Sequence, residues 1–208
     1  MVSTAQQLRD SLDALAMIEP GFGAAIARVG YPPVRIRQPG YETLLRTIVG
    51  QQVSVAAAAS VWNKLEAALG TGCAPDALIA QDYDTLRACG LSRQKQGYAR
   101  SLAEMVLDGT LDLHALPQDD EAAIAQLVLV KGIGRWSAEI YLLFAEGRPD
   151  IWPAGDLAVQ IEVGRILGWP ERPAEKAVRD VAERWRPHRG AAAVMAWHHY
   201  NTKMDVLG

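Results

Sequence analysis

One carboxylate and one glycine turn carry the chemistry this sequence is equipped to do. Asp156 follows Trp152-Pro153-Ala154-Gly155 and precedes the apolar run Leu157 to Leu167, so it stands where a helix opens. An aspartate there is first of all an N-cap that accepts backbone N–H groups. The same fixed negative charge can stabilise positive charge that develops on a reacting group beside it. Upstream, Lys131-Gly132-Ile133-Gly134-Arg135 separates two helical patterns. Glycines allow a tight reversal with positive φ and a close approach by another backbone. Ile133 is placed to tuck between the two helices and hold their crossing. The unpaired amides and positive dipole end of the second helix then face a phosphate, with Lys131 and Arg135 adding charge. The plainer reading of this turn is an ordinary αα-hairpin with glycines for close packing.

The elements that position these groups are helical. Half of the 208 residues are hydrophobic, with Ala and Leu abundant and aromatic residues sparse, which predicts an all-α protein. No apolar run of about 18 residues predicts a membrane span. The N-terminus lacks a basic-then-apolar signal pattern, which points to the cytoplasm. Cys73 and Cys89 are too few for a four-thiolate cluster, lack zinc spacing, and read as buried thiols. The net charge of −3 means that any nucleic-acid contact must come from a local patch and backbone amides.

Ser3-Thr4 with Gln6-Gln7 suits a helix start, and Leu8, Leu12, Leu15 and Ile18 form one stripe that Pro20-Gly21 ends. Phe22 to Val29 fits a short helix, and Gly30 to Gly40 an extended connection. Tyr41 opens a helix with Leu44, Leu45, Ile48 and Val49 inside. Ser54 caps Val55 to Leu69, which Gly70 closes. Pro75 begins a short helix, Asp84 caps another that Gly90 stops, and Ser92 caps Arg93 to Leu107. Residues 110–118 read as a linker, and Asp119 caps the helix before the glycine turn. A helix from Pro173 through Trp185 and a last one from Pro187 through Trp197, with a short polar tail, complete about ten helices. His198 and His199 read as surface residues and a poor metal pair. The predicted organisation is an N-terminal helical extension packing on the lobes (residues 1–40), a first helical lobe (41–115) and a second helical lobe (116–208) that carries the glycine turn and Asp156.

The run L-V-K-G-I-G-R-W-S-A at 129–138, followed by a Gly/Pro-rich loop and Asp156, resembles the helix-hairpin-helix DNA glycosylase superfamily. Within it the chain is most similar to the DNA-3-methyladenine glycosylase II family. L-R-T-I-V-G-Q-Q-V-S-V-A at 45–56, G-L-S-R-Q-K at 90–95 and R-P-H-R at 186–189 carry the same resemblance, which covers about Tyr41 to Trp197. It implies two helical lobes flanking a cleft, a helix-hairpin-helix motif, and double-stranded DNA containing alkylated bases as the partner of a monomer. The bacterial archetype's N-terminal β domain has no counterpart in the forty residues before Tyr41, so the resemblance is to a compact form.

By that resemblance Asp156 is catalytic. The superfamily's backbone-cutting members carry a Schiff-base lysine directly after Gly-Ile-Gly-Arg; Trp136 stands here, which implies hydrolysis by water without lyase activity. Trp136 and Trp197 match aromatic walls that stack on cationic alkylated purines such as 3-methyladenine or 7-methylguanine. The alternative for Trp197 is core packing. Ile140 stands where the family often has an aromatic residue, which implies a different pocket wall. Gln52 occupies the turn whose side chain fills the gap left by a flipped nucleotide; being polar, it can instead hydrogen-bond the orphaned base. Gln51, Gln52, Ser54, Lys131, Gly132, Ile133, Gly134 and Arg135 are the expected DNA contacts, with Arg93 and Lys95 as further backbone contacts or solvated charges. No metal ligand set is present; a monovalent cation at the hairpin carbonyls is the one ion the superfamily resemblance leaves open. Two rival readings remain: a non-catalytic, structure-selective DNA-binding protein, and a glycosylase for oxidised or deaminated bases.

Overall fold

The computed structural model describes residues 4–207, with side chains described through residue 202. Ser3 lies outside that range. Among the described residues there are twelve α-helices, one 3-10 turn and no strand. No described helix is long and apolar enough to cross a membrane. The chain forms two compact units, one of residues 37–141 and one that joins residues up to Ile36 with those from Leu142 onward.

The unit of residues 37–141 contains α3 (Tyr41–Gly50), α4 (Val55–Leu69), α5 (Pro75–Ala80), α6 (Tyr83–Ala88), α7 (Arg93–Leu107), α8 (Asp120–Leu127) and the start of α9 (Arg135–Phe144). Helix α7 is its hub, with α3, α5 and α6 packed on it. Leu44, Leu45, Ile48 and Val49 of α3 are all buried, as their spacing predicts. Ser54, Ser92 and Asp119 cap α4, α7 and α8 through their side-chain oxygens. The cap of α6 is Asp82, not Asp84: the Asp82 carboxylate accepts the Thr85 N–H at 2.7 Å, and Asp84 falls inside the first turn.

The other unit contains α1 (Ala5–Ile18), α2 (Pro20–Val29), α10 (Leu157–Ile166), α11 (Glu175–Ala182), the 3-10 turn Glu183–Trp185 and α12 (Arg189–Leu207). Thr4 and Gln7 close a capping box on α1. Pro20 opens α2 rather than only ending α1, since proline is tolerated in a first turn where no N–H partner is needed. Trp185 is fully buried at the centre, edge-on to Phe22 (5.1 Å) and Trp152 (5.5 Å). Helix α11 starts two residues after Pro173, capped by Ala174, and the chain tightens to 3-10 geometry before Trp185. Helix α12 starts at Arg189 and runs on past Trp197, so the expected polar tail is helical.

These units divide the chain differently from the three expected segments. Residues 110–118 are no linker, because Leu111, Leu113 and Leu116 are buried. Helix α8 and the glycine turn therefore belong with residues 41–115. Helices α1 and α2 pack on α12, and α2 also on α10, so residues up to Ile36 group with the unit that carries Asp156. The two histidines also differ from expectation. His199 is fully buried and pairs through Nδ1 with buried Glu162, which Arg165 also engages, and His198 contacts the Val29 carbonyl at 3.0 Å. A buried carboxylate needs such partners, and α12 supplies one by continuing past Trp197.

Candidate active site

The hairpin of the first unit is built from its glycines outward. Gly132 has φ +86°, and a Cβ there would drive into the ring of Tyr98 on α7. Ile133 is buried, and its N–H donates to the Val130 carbonyl at 3.0 Å, which closes the turn. The Gly134 carbonyl accepts the Ala138 N–H at 3.0 Å and so begins α9. At Gly134 an added Cβ would meet nothing within 4 Å. The protein's own packing therefore does not demand glycine there, whereas a backbone approaching from outside would.

The two charges at the hairpin are held differently. Lys131 is exposed, and its N–H donates to Ser101 Oγ at 3.3 Å. Arg135 is no free phosphate ligand: it makes a bidentate pair with Glu121 (2.8 and 2.5 Å) and reaches the buried Glu139 carboxylate at 2.9 Å. The Glu121 hydrogen bond, together with both carboxylate charges, drives its pKa further up from an already basic value. Arg135 thus braces α9 against α8 and neutralises a buried carboxylate.

The turn after α3 lies against the hairpin. Gln51 Nε2 donates to the Gly132 carbonyl at 2.8 Å, so this side chain is committed to the protein and braces the hairpin. Lys95 Nζ donates to the Val49 carbonyl at 2.7 Å at the C-terminal end of α3, and partial burial lowers its pKa. Lys95 is therefore not simply a solvated charge but caps the C-terminal end of α3. Gln52 is exposed with φ +56°, a strained conformation for a residue with a Cβ, and it projects from the tip of the turn. Ser54 spends its hydroxyl on the Ala57 N–H at 3.2 Å. Val53, 45% exposed beside Gln52, was not singled out from sequence; an apolar residue inside a polar turn was its only signal. The hairpin carbonyls of Val130 and Gly132 each already accept a protein donor, and among the described residues no cluster of His, Cys, Asp or Glu suits a metal.

Trp136 stands exposed on the first turn of α9, and Ile140, one turn further on the same face, is buried. In the other unit Asp156 caps α10. Its Oδ1 accepts the Val159 N–H at 3.0 Å and Trp197 Nε1–H at 3.1 Å. The loop before it is packed and hydrogen-bonded: Ile151 to Ala154 are buried, the Asp156 N–H donates to the Pro153 carbonyl at 2.9 Å, and Gln160 Nε2 donates to the Ala154 carbonyl at 2.8 Å. The Trp197 ring lies 5.6 Å from that of Phe144, in a tilted pair. Trp197 therefore does more than pack in the core: its indole N–H is aimed at the Asp156 carboxylate.

The model of the HhH-GPD superfamily base excision DNA repair proteins matches residues 45–187. DNA-3-methyladenine glycosylase 1 of Schizosaccharomyces pombe is 32% identical over 161 residues, 76% of this chain and 71% of the relative. The crystal structure of a DNA-3-methyladenine glycosidase from Bacillus halodurans aligns with a TM-score of 0.86 at 26% identity, covering 94% of this chain and 91% of that one. The Schizosaccharomyces pombe 3-methyladenine DNA glycosylase, solved with abasic DNA, aligns at 0.77 and 29% identity over 94% and 97%. The chain belongs to the HhH-GPD superfamily of base excision DNA repair proteins, among the DNA-3-methyladenine glycosylases, in a compact form that covers nearly all of those two solved chains.

Proposed function

We propose that this protein is a monofunctional DNA glycosylase that flips alkylated purines of the 3-methyladenine and 7-methylguanine type out of duplex DNA and hydrolyses their N-glycosidic bond. The observation that carries this reading is Asp156, a carboxylate whose Oδ1 is fixed by a helix amide and an indole N–H. As the C1′–N bond breaks, its electron pair goes to the cationic base, which leaves neutral. The sugar gains oxocarbenium character opposite the Asp156 carboxylate, which stabilises it without reorganising. Water then adds at C1′ and gives up its proton to Asp156, leaving an abasic site.

The exposed Trp136 face suits a flipped, positively charged purine. No amine stands at that position to attack C1′, so the strand stays intact. The hairpin amides around Gly134 and the Lys131 ammonium bind a phosphate. Gln52, held at the tip of its turn, fills the gap in the duplex. In a non-catalytic DNA binder a neutral Asn or Ser would serve the cap equally well, and a carboxylate would repel the phosphates.

Incubating the protein with methylated duplex DNA tests the reading. Free 3-methyladenine and 7-methylguanine should appear, with strand breaks only after alkali. Absence of released base refutes the activity, and breaks formed without alkali refute its monofunctional character.

A further inference from the structure

The R-P-H-R run at 186–189 has no part in the chemistry above, yet it surrounds one acidic residue of the loop that leads to Asp156. Arg189 grips the Asp150 carboxylate with two guanidinium nitrogens at 2.9 Å each, and its N–H, at the start of α12, reaches the same group at 3.3 Å. Arg186 adds a third guanidinium contact at 2.6 Å. Glu183 holds both arginines from the other side, at 2.8 Å to Arg186 and 2.9 Å to Arg189. Arg189 and Asp150 are only 11% and 16% exposed, so this is a desolvated clamp and not a solvated surface pair. The Gly190 N–H also donates to the Pro149 carbonyl at 2.9 Å, and a Cβ on Gly190 would press on that oxygen and on Leu143.

Helix α12 therefore touches the loop at both ends. Residues 186–190 hold it at Pro149-Asp150, and Trp197 holds it at Asp156. Eight residues of one helix separate the two anchors, a rigid span of about 12 Å. We infer that the Asp150–Arg186–Arg189 clamp is a positioning device for the reaction: it fixes the loop's entry on the helix whose indole fixes the carboxylate at its exit. This rests on the reading of Asp156 as the catalytic carboxylate. Asp150 and the two arginines touch no substrate in this scheme and act only through the placement of Asp156. A shift of about 1 Å in a catalytic group costs on the order of 100-fold in rate.

The test is single-turnover release of 7-methylguanine from a defined duplex, with enzyme-free depurination subtracted, alongside binding to a duplex with a stable abasic analogue. Asp150→Asn should slow release by about 10- to 100-fold while abasic-duplex affinity stays within about twofold. Arg189→Lys, which keeps the charge but loses the bidentate grip, should fall between it and wild type. A merely structural residue would lower both measurements with the folded fraction. The decisive arm is the double variant: in an Asp156→Asn background, Asp150→Asn should cost nothing further. A multiplicative loss there, or an Asp150→Asn rate equal to wild type, overturns the clamp while Asp156 keeps its role. An Asp156→Asn enzyme as fast as wild type overturns the catalytic reading itself, and the clamp falls with it. Should Asp150→Asn fail to fold, the same cycle is run with Arg189→Lys.

Discussion

Replacing Asp156 by Asn separates the charge of this residue from its structural duty. The Oδ1 atom accepts from Val159 N–H and from Trp197 Nε1–H, and a carboxamide oxygen can keep both bonds. Asn also ranks with Asp as an N-cap, so stability should change by less than about 1 kcal/mol, a shift of roughly 2–4 °C in Tm for a chain of this size. What disappears is a negative charge facing the developing cation. At about 4 Å and an effective dielectric near 20, that attraction is about 4 kcal/mol. At 1.4 kcal/mol per decade this is roughly a thousandfold in rate. Single-turnover release of 7-methylguanine should therefore fall about 10³-fold, with far-UV CD and Tm nearly unchanged. A rate within tenfold of wild type would refute the electrostatic role. A fall in Tm well beyond this range would show that the carboxylate's charge, not just its oxygen, maintains the cap.

Gly134→Asp should weaken binding to any duplex by more than about tenfold, because it sets a negative charge against the phosphate. Its Tm should hold, since an added Cβ meets no protein atom within 4 Å; anisotropy titrations and a melt read the two effects separately. Gly132→Ala should do the reverse first: φ +86° and the Tyr98 ring together cost about 2–4 kcal/mol of stability. A melt that leaves Gly132→Ala unshifted would contradict that packing. Burial pushes the Cys73 thiol from 9.0 up to about 11. The unfolded chain therefore loses this proton first, and stability falls as pH rises through that window, by up to about 3 kcal/mol. Cys73→Ala should flatten urea-derived stability between pH 9 and 10; above that, burial of the Tyr41 hydroxyl contributes a slope of the same sign.

Local rules wrote much of this molecule into its sequence. The caps at Ser54, Ser92, Asp119 and Asp156 each accept the N–H three residues along, so their signal is contained within one turn. The α3 core residues follow from helical spacing alone. The positive φ of Gly132 is likewise a property of a short tight turn.

Contacts between residues far apart in the chain were decided only by the fold. Arg135 looks like a phosphate ligand until Glu121 and Glu139 are found beside it, and Lys95 looks solvated until Val49 turns out to offer a carbonyl. Gln51 similarly turns inward to Gly132. A long polar side chain carries no mark of which partner will quench it, because that partner arrives by helix packing. The same holds for the boundary expected at 115/116: Leu111, Leu113 and Leu116 anchor an otherwise largely exposed segment, and leucine in a loop reads as a linker until its burial is known. Asp156 shows the division within one residue. Its place at the head of a helix was legible from Gly155 and the apolar run after it. That Trp197, 41 positions further along, aims an N–H at the same oxygen depended on how α12 lies across α10.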